Sequence, residues 1–392
     1  MPYGAFNGLA AVAVPYLLRK QGLSVDRIAS IGAMIQLPAI WYFLWAPAID
    51  LKLRRRTWII LLAMTSGACA AFALTRVTAG AIGVLTGLFI AASALNQPVS
   101  SAVGGLVAAV VPSALRGRTG GWSQAGILLG GIAAGGLSVW LADRASLLVV
   151  AGVAAVLVGL PSLAALAIDE PIGARHIMRA QPKRMARELW TVLKQRRVWA
   201  GFLFFLSPIG ASALMNLFTA VAGDFHASPN VVVSVVAIAG VLTPAGALIG
   251  GYLCDRFNRW LMYPVGGLLA AASAGGMLVA PLSPWTYAFG AAAYALATGF
   301  CYATFMSLAL ELLGAGASTS GTQFTLFMAA VNVPVAYMLR LDGLGHAHFG
   351  ARGMLAVDAG ANAAFGLAFL IVLSIIRPRS YTAEAPPATP HG

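Results

Sequence analysis

The chain is built from apolar segments of about 20 residues that follow one another with short polar connections between them. The segments span residues 2–18, 25–49, 57–74, 79–111, 121–141 and 146–168, and then residues 198–221, 230–253, 260–280, 284–313, 321–339 and 354–376. In a bilayer no water can bond the backbone, so a segment of this length must form a helix that satisfies its own N–H and C=O groups. With 59% hydrophobic and only 9% charged residues, the sequence predicts an all-α membrane protein with twelve transmembrane helices.

The longest polar stretch divides these helices into two sets of six. We predict an N-terminal six-helix half over residues 1–168 and a C-terminal six-helix half over residues 198–378, with a basic cytoplasmic linker over residues 169–197 between them. Residues 379–392 are rich in proline and are predicted to form a disordered cytoplasmic tail.

An acid followed by basic residues occurs after the second span of each half. Internal duplication of this kind is common in secondary transporters, whose two pseudo-symmetric halves rock about a central cavity. Because these acids lie where helix ends meet the cytosol, we predict that they form inner gates with arginines of neighbouring spans; the alternative is that they only anchor turns. The predicted gate residues are Asp50, Arg54, Arg116, Arg118, Asp255, Arg256 and Arg259.

The 25 basic residues lie mostly in loops on one side of the predicted membrane when the N-terminus is placed inside. This asymmetry fits the positive-inside rule, and it explains the net charge of +13 without a nucleic-acid partner. We therefore expect both termini to be cytoplasmic, the lipid bilayer to be the environment of the chain, and no nucleic acid to bind. The first apolar run has no basic leader and no cleavage pattern, so we expect it to be the first span.

Polar side chains occur at helical spacing within several spans. Tyr294, Thr298 and Tyr302 follow one another at intervals of one turn and project from one face of span ten. Such groups can bind a polar solute, although small and polar residues also hold membrane helices together with no ligand present. The predicted substrate-binding residues are Asn96, Gln97, Ser100, Asn216, Tyr294, Thr298, Tyr302 and Gln323.

Glu311 lies well inside the apolar run of span ten. An ionisable group at membrane depth costs free energy, and it is therefore a functional hypothesis by default. We predict Glu311 to be the proton-coupling residue, and the alternative is a structural ion pair that closes the inner gate. For Asp358, near the outer end of span twelve, we expect a structural role.

Several other kinds of site are not expected. The cysteines Cys69, Cys254 and Cys301 lie in or at the ends of apolar segments and are predicted to be small core residues. His346 and His348 are not accompanied by further Cys, Asp or Glu ligands, so we predict no metal site. The sequence contains no phosphate-cradling loop, nucleophile elbow or zinc motif, and we predict neither enzymatic activity nor a cofactor.

The chain resembles a known family at several motifs. The segment Phe43–Asp50, followed by Arg54–Trp58, resembles the Leu-Trp-Ala-Pro, Asp and triple-Arg signature of the AmpG-like muropeptide permease and peptide-acetyl-coenzyme A transporter branch of the major facilitator superfamily. Further similarities occur at Gly8-Leu9, Gly22–Ser24, Pro112, Arg116–Arg118 and Ser320–Phe324.

This resemblance implies a single-polypeptide permease of the bacterial inner membrane that uses protons to import a bulky polar amphiphile. The first expected cargo is a muropeptide-like sugar-peptide, and a siderophore is the alternative. In this superfamily spans one, four, seven and ten line the cavity, which would bring the predicted substrate-binding faces together. The expected partners are the small-molecule substrate, protons and the lipid bilayer, and we expect a monomer.

Two features bear on the cargo and on the function. Muropeptide permeases resemble one another in carrying acids in span four, whereas residues 96–102 of this chain include no carboxylate. A non-transporting membrane sensor on a permease fold is therefore the alternative from another functional class. Because no lysine or arginine falls deep in a span, a neutral or zwitterionic cargo is favoured over a strongly anionic one.

Overall fold

The computed structural model describes residues 1–23, 25–42, 53–77, 79–169, 190, 194, 196–313 and 320–376. These residues form helices and turns, and no strand occurs among them. The linker predicted over residues 169–197 lies almost entirely outside the described residues, and the tail predicted over residues 379–392 lies outside them completely.

The helices of the first half begin and end close to the predicted spans. They are α1 (Pro2–Gly8), α2 (Val14–Lys20), α3 (Val25–Trp41), α4 (Arg55–Leu74), α5 (Ile82–Val110), α6 (Arg116–Ala142) and α7 (Leu147–Gly159). A π-helical turn over Leu9–Ala13 joins α1 to α2, and a 3-10 helix over Leu160–Ala167 continues α7. The first predicted span is therefore one interrupted helix.

The helices of the second half also begin and end close to the predicted spans. Its helices are α8 (Arg196–Phe205), α9 (Ala213–Val221), α10 (Pro229–Arg256), α11 (Arg259–Val279), α12 (Pro284–Leu312) and α13 (Ser320–Ile376). The side chains of Ser228 and Asn258 accept hydrogen bonds from the first turns of α10 and α11, which fixes where these helices begin. Within α13 the backbone leaves helical geometry at Phe349 and Gly350, so α13 contains two spans.

Eight helices of the described chain are long and apolar enough on their own to cross a membrane. One of them is the double-span segment of α13. The three other predicted spans correspond to shorter or interrupted elements: α1 with α2, α3, and α8 with α9. Interruption accounts for the first and seventh spans, whereas residues 43–49 of the second predicted span lie outside the described residues.

Span seven is broken between α8 and α9. Ser212 is the N-cap residue of α9 and adopts a left-handed conformation with φ of 54°, so α9 does not continue regularly from α8, which ends at Phe205. The Tyr263 hydroxyl donates to the carbonyl oxygen of Ile209 at 2.8 Å, and the Tyr337 hydroxyl donates to that of Leu206 at 2.9 Å. A broken helix is tolerated at membrane depth where protein groups satisfy the freed backbone in this way.

The chain divides into two compact units. Unit 1 comprises Met1–Val110, Gly126–Lys194 and Leu313–Ala329, and unit 2 comprises Val111–Ala125, Gln195–Leu312 and Ala330–Gly392. Each unit has a hydrophobic core of its own. In unit 2 the ring of Phe218 packs edge-on against Tyr287 and Tyr294, at centroid distances of 6.2 and 5.7 Å.

Candidate functional site

Four helix ends of unit 2 meet at a group of acids and arginines. Asp255 and Glu311 are the penultimate residues of α10 and α12, whereas Arg116 and Arg259 are the first residues of α6 and α11. Together with Arg118 they form what we call the ion-pair cluster. The structure thus brings together five residues that the sequence predicted as gate or proton-coupling residues.

The Asp255 carboxylate caps the amino end of α6. Its Oδ1 accepts a hydrogen bond from the backbone N–H of Gly117 at 2.7 Å, and its Oδ2 accepts one from the backbone N–H of Arg118 at 2.9 Å. The first N–H groups of a helix have no partner within the helix, and the helix dipole favours negative charge there. The Arg118 side chain adds an ion pair, with Nε 3.4 Å from Oδ2. Segment 111–125 is therefore held by charge-assisted bonds.

Arg259 bridges the two acids of the ion-pair cluster. Its Nη2 lies 3.4 Å from Asp255 Oδ1, and its Nη1 lies 3.5 Å from Glu311 Oε2. Nη2 also donates to the carbonyl oxygen of Ser113. The Trp260 indole donates to Glu311 Oε1 at 3.3 Å. Because the Arg259 side chain is only 7% exposed, removing it would leave two buried carboxylates without their shared cation.

The other predicted arginines differ in their contacts. Arg116 is buried, and its Nη1 donates to the carbonyl oxygen of Leu310 at 2.9 Å. Arg256 is exposed, and its guanidinium lies 4.4 Å from the ring centroid of Tyr252. Arg118 lies over the same ring at 5.3 Å while also pairing with Asp255. Among the described residues, the ion pairs of Asp255 are thus with Arg118 and Arg259, and Arg256 stacks on an aromatic ring instead.

Glycines allow α6 to approach α10 closely. A Cβ atom on Gly121 would lie 2.6 Å from the carbonyl oxygen of Ala247, and one on Gly251 would lie 2.7 Å from the carbonyl oxygen of Gly117. Such distances leave no room for a side chain, so the two backbones are in direct contact, as small residues four apart permit in membrane helices. This approach brings Asp255 within reach of the first N–H groups of α6.

Arg55 is a counterpart in unit 1 that the sequence analysis missed. It is the first residue of α4, as Arg259 is the first residue of α11. It is buried, and its Nη1 donates to the carbonyl oxygen of Gly105 at 3.2 Å. The duplicated turn contained the signal, because in each half a buried arginine opens the helix that follows the acid. The predicted gate residue Asp50 lies outside the described residues, and Arg54 is the half-buried N-cap residue of α4.

The predicted substrate-binding residues of unit 1 lie on α5 and at the start of α13. Asn96, Gln97 and Gln323 are buried, and Ser100 is partly buried. Asn96 Nδ2 donates to the carbonyl oxygen of Tyr3 at 3.4 Å, but Asn96 Oδ1 and Gln97 Nε2 have no hydrogen-bond partner. Buried polar atoms without a partner are rare in proteins because each one costs desolvation free energy. They identify a polar face on α5.

The predicted substrate-binding residues of unit 2 lie on α9 and α12. The Tyr294 hydroxyl donates to both oxygens of the Asp358 carboxylate, at 3.1 and 3.2 Å. Thr298 is also buried, and its Oγ1 has no hydrogen-bond partner, whereas Tyr302 is partly exposed. Asn216 lies within α9, and its side chain is outside the described part of the structure. The face of α12 is therefore linked to a buried acid.

The chemistry available to these side chains is ionic and hydrogen-bonding. The described residues include no group of three His, Cys, Asp or Glu side chains that could hold a metal ion. His346 pairs with Asp224, with Nε2 2.7 Å from Oδ2. Cys69, Cys254 and Cys301 are all free thiols. Such an arrangement can bind a polar solute and make or break ion pairs.

Comparison with known proteins identifies the family and the fold. The sequence profile of the Major Facilitator Superfamily matches residues 1–338. None of the curated proteins compared with the chain matches it significantly.

Three solved structures illustrate the structural similarity. The E. coli fucose:proton symporter FucP has a TM-score of 0.70 at 16% sequence identity, covering 97% of this chain and 96% of that chain. The human organic anion transporter MFSD10 (TETRAN) has a TM-score of 0.68 at 15% identity, with coverages of 94% and 96%. The proton:xylose symporter XylE bound to 6-bromo-6-deoxy-D-glucose has a TM-score of 0.63 at 14% identity, with coverages of 96% and 94%.

At such low identities these structures bear on the fold alone, and they confirm the predicted all-α fold of twelve transmembrane helices in two six-helix halves. The profile match covers most of the sequence and adds the functional class. The protein is a multi-pass membrane protein and a secondary transporter of small molecules, not an enzyme. The chain belongs to the Major Facilitator Superfamily.

Proposed function

We propose that the protein is a proton-coupled permease that imports a bulky polar amphiphile, with a muropeptide-like sugar-peptide as the first candidate. The observation that carries this proposal is the set of buried polar atoms without partners on the predicted binding faces: Asn96 Oδ1, Gln97 Nε2 and Thr298 Oγ1. Amide and hydroxyl groups of a solute can bond to these atoms, which lipid cannot do.

The positions of the buried arginines indicate which charge the solute is expected to carry. Arg55, Arg116 and Arg259 each open a helix, so their guanidinium groups lie at helix ends instead of at mid-span. A strongly anionic cargo would need a cation near the middle of the membrane. A neutral or zwitterionic amphiphile therefore fits better.

The cargo class is supported by two similarities. The signature in residues 43–50 and 54–58 resembles the muropeptide permease branch, whose location in the bacterial inner membrane we also propose for this protein. Two of the similar structures are described as sugar:proton symporters, in agreement with a sugar-containing solute and with proton coupling. A siderophore is the alternative cargo of the same branch. We propose a monomer with both termini in the cytoplasm.

We propose that the ion-pair cluster is the inner gate between the two six-helix halves, residues 1–168 and 198–378. Its contacts join segment 111–125 of the first half to α10, α11 and α12 of the second half. Rocking the halves apart would break the bonds of Asp255 to α6 and that of Arg259 to Ser113. Each transport cycle would break these bonds and form them again.

For Glu311 the contacts support the ion-pair alternative over the proton-coupling role. Its two carboxylate oxygens face Arg259 at 3.5 Å and Trp260 at 3.3 Å, and we therefore include the side chain in the proposed gate. Glu311→Gln separates the two roles. A gate role predicts that accumulation and exchange both change, as they would in Arg259→Met, whereas a coupling role predicts that accumulation is lost while exchange continues.

The proposed function is tested by uptake into proteoliposomes that contain the purified chain. The radiolabelled solutes are a cell-wall disaccharide-peptide, a ferric hydroxamate siderophore, fucose and xylose, and the imposed gradient is acid outside. We expect accumulation of the disaccharide-peptide, and we expect a protonophore to abolish it. Accumulation of the siderophore alone would identify the alternative cargo. Binding without uptake or exchange would identify a non-transporting sensor and contradict the proposal.

A further inference from the structure

Two acids of α13 lie on opposite sides of the bend at Phe349 and Gly350. The helical segments on the two sides of this bend pack together, because a Cβ atom on Gly345 would lie 2.8 Å from the carbonyl oxygen of Gly353. Asp342 and Asp358 lie at almost equal distances along the chain from the bend, about two turns of helix on either side. A Cβ atom on Gly345 would also lie 2.9 Å from Val357 Cγ2, so the turns of helix that carry Asp342 and Asp358 pack against each other.

The two acids differ in their hydrogen bonds although both are buried. Asp342 is 0% exposed and Asp358 is 1% exposed. Asp358 accepts hydrogen bonds from the Tyr294 hydroxyl and, at 3.2 Å, from Asn362 Nδ2. Both carboxylate oxygens of Asp342 are buried without any hydrogen-bond partner. Of the two acids, Asp342 is therefore the one whose carboxylate lacks hydrogen-bond donors.

No cation of the described chain pairs with either acid. The titratable and charged groups on the neighbouring turns of α13 and on the facing side of α12 are Arg340, His346, His348, Arg352, Tyr294 and Cys301. The two arginines and His348 are exposed, and His346 pairs with Asp224. Among the described residues, the groups that interact with Asp358 are the phenol of Tyr294, the amide of Asn362 and the thiol of Cys301.

Physical chemistry excludes two full negative charges at this place. A buried carboxylate without a partner carries a large desolvation penalty, and a second carboxylate beside it adds repulsion. Carboxyl pairs in such surroundings hold a proton between them. A bound proton also gives Asp342 a hydroxyl that can donate, so that one of its oxygens gains a partner.

We propose that Asp342 and Asp358 form a shared proton-binding site that couples proton movement to transport, an inference that rests on the proposed function. Ionised Asp358 accepts the hydrogen bond from Tyr294, whereas protonation turns one of its oxygens into a donor and weakens that bond. Tyr294 lies one turn from Thr298 on the predicted substrate-binding face of α12. Binding of the proton at Asp358 therefore changes the hydrogen bonds that Tyr294 can make on that face of α12.

The site is tested by infrared difference spectroscopy on the purified full chain in lipid, with the buffer exchanged between neutral and alkaline pH. The wild type should lose a carboxylic-acid C=O band at alkaline pH, and this band should shift in heavy water. Asp342→Asn and Asp358→Asn should each alter the band, and the double variant should remove it. Asp224→Asn, which changes an exposed acid that pairs with His346, should leave the band in place.

Two results would overturn the site. One is a difference spectrum of Asp342→Asn and of Asp358→Asn that is the same as that of the wild type. The other is the same spectral change on addition of sodium at constant pH, which would show that the pair binds a sodium ion. If Asp342→Asn does not fold, Tyr294→Phe provides the test, because it keeps both acids but removes the donor to Asp358. It should shift the frequency of the band, and an unshifted band would contradict the proposal.

Parallel uptake measurements separate this inference from the proposed function. Asp342→Asn should lose accumulation driven by the pH gradient and keep solute exchange. If the wild type shows the band but transports none of the four solutes, the proposed function fails and a proton-binding site remains. If the wild type accumulates solute and Asp342→Asn does so equally well, the coupling role fails and the transport function remains.

Discussion

Replacement of Arg259 by methionine should open the proposed inner gate. Methionine keeps much of the volume of the side chain but removes the cation between Asp255 and Glu311, and with it the hydrogen bond to Ser113. Removing one partner of a buried ion pair costs about 3–5 kcal/mol, because the remaining charge stays buried without compensation.

The size of the effect on the gate follows from this cost. If only the closed state contains the contacts of Arg259, its loss shifts the equilibrium toward the open state by that amount. At about 1.4 kcal/mol for each factor of ten, the open population relative to the closed one should rise by about two to three and a half orders of magnitude. Asp255 retains its bonds to α6 and to Arg118, so we expect a value near the lower limit.

The native thiol of Cys254 provides the assay. It is buried, it precedes Asp255 in α10, and it is free. In a Cys69→Ala background, alkylation by N-ethylmaleimide can be quantified separately at Cys254 and at Cys301, which is buried in α12. Gate opening should raise the rate at Cys254 alone, whereas unfolding would raise the rate at both thiols.

The matched control is Arg256→Met. This exposed arginine stacks on Tyr252, and such a contact is worth about 0.5–1 kcal/mol, so its loss should change the alkylation rate by only a few-fold. Equal rates at Cys254 in Arg259→Met and Arg256→Met would refute the reasoning, and so would a rate in Arg259→Met that equals that of the wild type.

Three further predictions test other parts of the structure. Gly121→Leu should separate α6 from α10 and abolish transport, whereas Gly136→Leu, with open space beside it in the same helix, should retain solute uptake into proteoliposomes. Tyr263→Phe leaves a carbonyl of the span-seven break without its donor, so the free energy of unfolding in detergent should fall by about 1–3 kcal/mol. A hydrogen bond from Tyr16 lowers the pKa of Asp143 below its usual value of 3.8. The stabilisation that ionised Asp143 contributes is therefore present above pH 3.8 and is lost as the pH falls through the lowered pKa. Asp143→Asn should make the melting temperature less dependent on pH over that range.

The positions of the spans could be predicted from hydrophobicity because lipid imposes a helix on each long apolar run. The tenth span, predicted over residues 284–313, is the helix Pro284–Leu312, and the ninth, predicted over residues 260–280, is Arg259–Val279. The break in span seven could not be predicted in this way. It depends on the dihedral angles of Ser212 and on hydroxyl groups supplied by α11 and α13, none of which affects local hydropathy.

The composition of the ion-pair cluster could be predicted, but the choice of partners could not. The sequence indicated that Asp255 and several arginines lie at helix ends. Whether Arg256 or Arg259 reaches the acid depends on the corner between α10 and α11, which turns one arginine toward the cluster and the other toward Tyr252. Asp342 lies between the predicted spans 321–339 and 354–376, and only the packing at the bend of α13 shows that it is buried.

The most direct test of the central claim records solute and proton fluxes in the same proteoliposomes. Vesicles with the purified chain and an entrapped pH indicator receive the radiolabelled disaccharide-peptide with no gradient imposed. Proton-coupled import predicts that the interior becomes acidic as solute enters, that both fluxes keep a constant ratio as solute concentration is varied, and that Asp342→Asn loses the proton flux. Solute entry without acidification, or acidification that does not depend on solute, would contradict the account.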